Sequence, residues 1–247
     1  LVHGLASGPG YEERERAAAR AFAEQAQLAG VKRIVYLGGV EPVGVPSVHL
    51  QSRLDTGRIL REGAVPTIEL RAGMIVGHGS ESWQICRDLA VRLPLMLLPK
   101  WLDTPSEPVA VDDVVAACVH AVGSTVAGGA YDIPGPEQLS ATDILLRVAR
   151  LRGTATRTLR VPVLTPHLSS YWLKLVTGAD FQVAQQLVEG LRTALVSSGP
   201  RYWDFMDDFA VTPFDVAAKR ALDAGKPSSH RVRALERALG MLAKKHN

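Results

Sequence analysis

The sequence predicts an α/β protein, with a doubly wound parallel sheet that is incomplete at its N-terminus and a smaller, mostly helical C-terminal lobe. Three observations predict this class. Strand and helix patterns alternate over residues 1–77, with glycine at or near most boundaries. The strand segments are short and apolar on both faces, as buried parallel strands are. After Gly77 the pattern changes and helical periodicity dominates.

The first half of the chain supplies the predicted sheet. A helix is predicted over residues 12–29, where alanines recur at helical spacing and glutamates occupy the first turn. A β-branched strand follows over Val31–Leu37, and a helix with inward leucines spans His49–Arg61. The next strand runs over Pro66–Gly77. Right-handed helical crossovers would make these strands parallel neighbours. The opening residues, Leu1–Gly4, read as the end of another buried strand, which predicts that the N-terminal part of the domain is absent from this sequence.

The second half of the chain is predicted to be mostly helical. Asp112 and Ser140 are suited to N-cap two of the helices, and a short strand begins at Gly129. A linker over residues 225–229 precedes a basic amphipathic helix, which either binds a membrane surface or partner, or packs its leucines on the body. The predicted helices cover residues 81–93, 112–122 and 140–152, a segment from Thr165, and residues 181–195 and 231–245.

Composition and charge argue against several classes of protein. The chain is 47% hydrophobic and 21% charged, as ordinary globular domains are, and its net charge is +3. Its basic residues are scattered among acids, which argues against nucleic-acid binding but suits a pocket for a small anionic ligand. No apolar run reaches the roughly 18 residues of a membrane span. Cys86 and Cys118 stand apart, which predicts free thiols in a reducing, cytoplasmic compartment and no metal site.

Four segments carry a family resemblance and occur in the family's order. They are Val31–Gly39, Glu69–Gly77, Pro108–Val114 and Tyr131–Glu137. Each resembles a strand-and-turn segment of the extended and atypical short-chain dehydrogenase/reductases, which include NmrA-like and complex-I-accessory-like members. The resemblance covers Leu1–Arg152 and implies a Rossmann-like domain. A further stretch, Leu164–Thr177, is similar to a C-terminal extension of one bacterial subgroup of the family.

The resemblance implies an NAD or NADP cofactor, a small-molecule substrate, and oxidoreductase or isomerase chemistry. It also divides the chain. The NAD(P)-binding domain would cover residues 1–78 and 105–130, the substrate lobe 79–104 and 131–224, and the linker and basic helix 225–247. The family's glycine-rich phosphate loop is expected upstream of Leu1, with Gly4–Gly10 as a rival for that role. The oligomeric state stays open, with a homodimer as one option.

The family's catalytic Tyr-x-x-x-Lys pair is replaced here by His49 and Arg53. Residues i and i+4 share one helix face, so both side chains can reach one substrate. By the resemblance, Arg53 would hold a ribose or phosphate, and His49 would stand at the place of the proton donor. The positive charge of Arg53 one turn away opposes protonation of His49. A polar residue at a pocket mouth, without chemistry, is therefore the alternative for His49.

The resemblance also implies cofactor-binding residues at the strand ends. Gly38 and Gly39 stand where the family carries a catalytic-side Ser or Thr, and Arg71 is a charge inside an apolar strand. Arg71 therefore needs a partner, and a buried carboxylate such as Glu69 or Asp112 is the alternative to a ligand. The predicted cofactor residues are Gly4, Leu37, Gly38, Gly39, Arg53, Arg71, Ala72 and Gly73.

Two classes of function stay open. The four family-like segments and the large second lobe favour an NAD(P)-dependent oxidoreductase or isomerase. The missing tyrosine and serine favour a non-catalytic dinucleotide-binding sensor, assembly factor or structural subunit. A nucleic-acid-binding regulator ranks last, because it would need a contiguous basic face. Both leading interpretations require the strands predicted around residues 31–37 and 67–76 to be parallel.

Overall fold

The computed structural model describes residues 10–92, 95–153, 157–161 and 194–225. Gly4, the stretch Leu164–Thr177, the helices predicted from Thr165 and over 231–245, and nearly all of the one predicted over 181–195 lie outside these residues. The helices are α1 (Tyr11–Leu28), α2 (Val48–Glu62), α3 (Glu81–Arg92), α4 (Val111–Gly123), α5 (Ala141–Leu151) and α6 (Phe214–Ala224). None of these described helices is long and apolar enough to cross a membrane.

The strands are β1 (Ile34–Gly39), β2 (Thr67–Ala72), β3 (Ile75–Val76), β4 (Leu95–Pro99), β5 (Pro105–Ser106), β6 (Val109–Ala110), β7 (Gly129–Asp132), β8 (Leu139–Ser140) and β9 (Arg157–Val161). Three of them form a sheet in the order β1-β2-β7, and both pairings in it are parallel. Ile34 lies opposite Thr67, and Ile68 lies opposite Gly129. The predicted parallel arrangement of the strands around residues 31–37 and 67–76 is therefore confirmed.

The strand boundaries differ from the sequence prediction for physical reasons. Gly30 has a φ of 68° and follows the end of α1, and the amide of Val31 still bonds the Ala26 carbonyl at 3.0 Å. Val31 thus belongs to the helix terminus, and β1 begins three residues later. The strand predicted over residues 66–77 is interrupted after Ala72. Its last part, β3, pairs in parallel with β6 in a separate two-stranded sheet.

Helices cover both faces of the three-stranded sheet. On one face, Ile34 and Tyr36 of β1 pack with side chains of α1 and α2. On the other face, Ile68 and Leu70 of β2 pack with α4, and the fully buried Tyr202 joins this cluster. Because successive strand side chains point to opposite faces, both sets of strand residues are removed from water. The result is the doubly wound arrangement that the sequence predicts.

A second core joins α3, α5 and α6. Its largest fully buried apolar side chains include Trp83, Ile144 and Phe214. The predicted N-cap at Ser140 is confirmed. The Ser140 hydroxyl accepts from the Asp143 amide at 3.1 Å, and the Asp143 carboxylate accepts from the Ser140 amide at 3.0 Å. This reciprocal capping box fixes the start of α5.

The sequence prediction missed α6 and the parallel pair β4–β9, and it was wrong about the start of α4. The N-cap of α4 is Ala110, which offers no side-chain cap. Asp112 instead accepts a hydrogen bond from Arg220 at 3.3 Å. The buried Asp113 accepts from both the amide and the hydroxyl of Thr212, each at 2.8 Å. The two aspartates at the start of α4 therefore bind Thr212 and Arg220, later in the chain, instead of capping the helix.

Candidate functional site

The carboxyl ends of β1 and β2 lie side by side, at the edge where doubly wound sheets bind their ligands. Gly38 lies opposite Arg71, and Gly39 lies opposite Ala72. The amide of Val40 bonds the Ala72 carbonyl at 3.2 Å, so the pairing continues just past the strand ends. Most of the strand-end residues predicted from the sequence are thus brought together at one edge.

Arg53 reaches this edge from the middle of α2. Its Nη2 donates to the Leu37 carbonyl at 3.3 Å and lies 3.5 Å from the Gly38 carbonyl oxygen. Its Nε is buried and has no hydrogen-bond partner among the described residues. A buried charged donor without a partner is costly, so this N–H is suited to an acceptor that a ligand would bring.

His49 stands one turn before Arg53 and contacts a residue of another helix. The hydroxyl of Tyr11, in the first turn of α1, lies 3.3 Å from His49 Nδ1. The two rings are stacked, with centroids 6.2 Å apart and an angle of 18° between their planes. Burial raises the pKa of Tyr11, and the neighbouring Ser52 and Arg53 partly oppose this rise. Tyr11 therefore keeps its proton at neutral pH.

Tyr36 holds the turn of α2 that carries Arg53. Its hydroxyl donates to the Arg53 carbonyl at 3.2 Å from the strand β1 below. Burial, the largest cause, raises the pKa of Tyr36 to about 12. The phenol thus stays a donor across the physiological range, and it fixes the helix against the strand whose carboxyl end Arg53 approaches.

The glycine pair at the end of β1 is explained by close packing. A Cβ at Gly38 would lie 2.7 Å from Glu69 Oε1, and a Cβ at Gly39 would lie 2.6 Å from Leu50 Cδ1. Both positions therefore lack room for a side chain unless these neighbours move. A side chain at Gly38 would meet the buried Glu69, and one at Gly39 would meet Leu50 of α2.

Arg71 belongs to a different cluster of side chains, which includes two glutamates. Its Nη1 bonds Glu41 at 3.1 Å, and its Nε lies 3.4 Å from Glu69 Oε1. Glu69 is fully buried and also bonds Arg61 at 2.8 Å. The buried-carboxylate alternative for Arg71 is thus the one that the structure shows. Glu69 is the partner, while Asp112 bonds elsewhere.

Gly73 follows β2 where the chain approaches later segments. A Cβ there would lie 3.7 Å from the Glu107 carbonyl oxygen and 3.9 Å from that of Leu195, which is ordinary contact distance. Gly73 therefore lies close to the segments that contain Glu107 and Leu195, as well as to the end of β2. Within the described ranges, no group of three or more His, Cys, Asp or Glu side chains is arranged to hold a metal ion.

The sequence predicts His49 and Arg53 as candidates from the family resemblance and their i, i+4 spacing, but it does not single out Tyr11, which the structure brings to His49. The helix predicted from the sequence begins at residue 12, one position after Tyr11. Nothing in the neighbouring sequence distinguishes Tyr11 from an ordinary surface tyrosine. Its contact with His49 joins positions 38 residues apart and depends on how α1 packs on α2.

The fold and this edge define an α/β protein of the doubly wound, Rossmann-like class. Solved structures that share the fold include the NADPH-dependent quinone oxidoreductase of Escherichia coli complexed with NADPH, with a TM-score of 0.65 and 16% identity over 81% of this chain and 69% of that chain. Another is the triphenylmethane reductase of Citrobacter sp., with a TM-score of 0.68 and 14% identity over 88% and 74%. A third is a nucleoside-diphosphate-sugar epimerase of Staphylococcus aureus, with a TM-score of 0.66 and 12% identity over 89% and 75%. No family model and no curated protein matches the sequence.

Proposed function

We propose that this chain is an NAD(P)-dependent oxidoreductase or isomerase of the atypical short-chain type, acting on a small molecule. The observation that carries the proposal is the contact of Arg53 with the carbonyls at the carboxyl end of β1, with His49 one helical turn before it on the same helix. Proteins of the same fold support the cofactor. The quinone oxidoreductase holds NADPH, and the Bordetella bronchiseptica enzyme WbmH, with a TM-score of 0.60, is in complex with NAD⁺.

The residues at this edge fit a nicotinamide dinucleotide. Arg53 offers its buried, unbonded Nε as a donor, and a ribose hydroxyl or phosphate oxygen is the kind of acceptor that it lacks. The backbone of Leu37–Gly39 and Ala72 borders the same edge. When bound, the nicotinamide would supply or accept the hydride. Arg53 would position it, because a guanidinium stays charged at any working pH.

His49 and Tyr11 would handle the proton. With Nδ1 unprotonated, the Tyr11 hydroxyl donates to it, and the ring then carries its proton on Nε2. Nε2 is the atom that would give this proton to a substrate oxygen. Burial raises the pKa of Tyr11, and the charge of Arg53 acts to lower it. Arg53 would therefore offset only part of the cost of a phenolate while the phenol proton moves to Nδ1 and Nε2 loses its own.

The proposal is tested by separating binding from turnover. Dissociation constants for NADH and NADPH are measured by calorimetry, and oxidation of each is followed at 340 nm with a panel of quinones, aldehydes and ketones. Replacing Arg53→Met should weaken nucleotide binding by about 10- to 100-fold, the value of a charged hydrogen bond. Replacing His49→Ala should lower kcat by about 100-fold and leave the dissociation constant within about twofold.

Tyr11→Phe separates the relay from His49 alone, because it removes only the hydroxyl. We expect a fall in kcat of about tenfold and unchanged nucleotide binding. Arg20→Gln, an exposed change on α1, serves as the control. If neither nucleotide binds the wild-type protein, the proposed function is wrong.

A second candidate is a non-catalytic dinucleotide-binding sensor, assembly factor or structural subunit. Its support is the packing at Gly38 and Gly39, where Glu69 and Leu50 occupy the space that a catalytic-side hydroxyl would need. Nucleotide binding that depends on Arg53, together with no turnover for any substrate in the panel, would favour this candidate.

The cysteines support a reducing, cytoplasmic setting for either function. Cys86 is buried and Cys118 is half-buried, and both are free thiols. A test is localisation of a tagged full-length protein by cell fractionation.

A further inference from the structure

A cavity of about 280 Å³ lies beside α2, beneath the loop that follows β1. Its helical lining comes from positions 51, 54, 55, 58 and 61, which recur at helical spacing. His49 and Arg53 belong to a different stripe of the same helix. The cavity is lined by Glu41, Pro42, Gly44, Pro46, Gln51, Leu54, Asp55, Arg58, Arg61 and Arg71.

Three arginines converge on this cavity, and two of them share one carboxylate. Arg61 and Arg71 both contact Glu69, at 2.8 and 3.4 Å, and the Glu69 side chain is fully buried. A single carboxylate cannot use the five N–H donors of each guanidinium. The buried Arg71 Nε and Glu69 Oε1 still lack a hydrogen bond of good geometry among the described residues. Both arginines also line the cavity, so the donors that Glu69 does not use belong to side chains at its wall.

Two carboxylates line the cavity, and they differ in how firmly they are held. Asp55 is 13% exposed and bonds Arg16 at 3.2 Å and Gln51 at 2.9 Å. Glu41 is 64% exposed, lies on the loop after β1, and bonds Arg71 at 3.1 Å. An ion pair with one such exposed member contributes little to stability, because water and salt screen it. Glu41 can therefore leave Arg71 at little cost, whereas Asp55 cannot leave its partners so easily.

We propose that this cavity binds a small anion that carries a carboxylate or phosphate group, which takes the place of Glu41 on Arg71. Arg71 and Arg61 would supply directed donors. The half-exposed Arg58, which lies 3.6 Å from Asp55 and 3.9 Å from Glu62, would add positive charge to the lining. The size fits a small organic acid, because the volume lies at the lower end of small-molecule pockets and is too small for a dinucleotide. This inference does not rest on the proposed function, because its argument does not use a bound nucleotide.

The test uses calorimetric titration of the purified protein with succinate and, separately, with inorganic phosphate. Ionic strength is held constant with chloride, so that only specific binding gives a signal. Glu41→Gln removes the competing charge while Arg71 keeps Glu69, and it should tighten binding of the preferred anion at least about fivefold. Arg58→Gln should weaken it by a similar factor. Both side chains are more than half exposed, so neither change leaves a buried charge unpaired.

Arg20→Gln is the matched control, because Arg20 is as exposed as Arg58 but pairs with Glu13 on α1, away from the cavity. It should bind the anion as the wild type does. Comparison of succinate with phosphate identifies which group the cavity prefers. The proposal is overturned if E41Q binds neither anion above the chloride background, or if E41Q and R58Q both bind with wild-type affinity.

Discussion

Replacing Gly57→Ala should destabilise the protein, although the same change in an exposed helix would stabilise it. Gly57 lies inside α2 and is buried against Glu69. A Cβ there would lie 2.8 Å from Glu69 Oε2 and closer still to Oε1. Alanine improves helix propensity by about 1 kcal/mol over glycine. Overpacking a core costs about 1–3 kcal/mol, and disturbing a buried ion pair can cost about 3–5 kcal/mol.

The clash decides the sign, because Glu69 cannot move aside without leaving Arg61 and Arg71. We expect a net loss of about 1–3 kcal/mol, which corresponds to a Tm lower by about 3–10 °C for a chain of this size. Urea unfolding followed by circular dichroism measures the change. Gly123→Ala is the matched control, since Gly123 ends α4 with open space around its Cβ position, and it should be neutral or slightly stabilising.

A double-mutant cycle isolates the contact. In a Glu69→Ala background the carboxylate is gone, so Gly57→Ala should cost nothing there and should regain the helix-propensity gain of up to about 1 kcal/mol. A Gly57→Ala protein as stable as the wild type would refute the argument that Glu69 excludes a side chain at this position. So would a cost that stays the same when Glu69 is absent.

Three further predictions concern the N-cap of α5, the reactivity of the two cysteines and the hydrogen bonds of Asp132. Ser140→Ala removes the capping box of α5 and should lower the free energy of unfolding in urea by about 1 kcal/mol. Ser197→Ala is the control, because Ser197 does not cap a helix. Burial raises the pKa of Cys86 to about 12, so only about one thiol in ten thousand is ionised at pH 8. A thiol reagent should therefore modify Cys118 first and Cys86 only on unfolding, and equal rates in the native state would contradict this. Asp132→Ala removes the acceptor of two consecutive backbone amides, so hydrogen exchange at the Ser198 and Gly199 amides should speed up at least about tenfold.

The sheet could be predicted from the sequence because its signals are local. Glycine punctuation and β-branched apolar runs located β1 and β2, and the crossover through α2 made the strands parallel. The β4–β9 pair could not be found in this way. The prolines flanking Leu95–Pro99 suggest a loop, and the partner strand is about 60 residues later. The N-cap of α4 was mistaken because the predicted cap, Asp112, instead accepts a hydrogen bond from Arg220, which is 108 residues later.

Part of the candidate site could be predicted from the sequence. The predicted features depend on local spacing, and the missed ones depend on how distant elements pack. The spacing of His49 and Arg53 on one helix face is visible in the sequence. The pairing of Arg71 with a buried carboxylate followed from the cost of an unpaired buried charge, and Glu69 is that carboxylate. Tyr11 could not be found, because only the packing of α1 on α2 brings its hydroxyl to His49. The cavity likewise combines residues of β2, α2 and a loop that have no common motif.

Both cores are closed by residues that are distant in the sequence from the strands and helices they cover. Tyr202 joins the cluster beneath β2, and Phe214 and Leu222 join the cluster of α3 and α5. The Asp113–Thr212 bonds span 99 positions of the chain. A ribosome must therefore synthesise the chain through Tyr202 before the cluster beneath β2 can exclude water, and through Leu222 before the cluster of α3 and α5 can do so. The nascent chain carries open apolar surface until then, so we expect its demand for chaperones to last at least until Leu222 has left the ribosome.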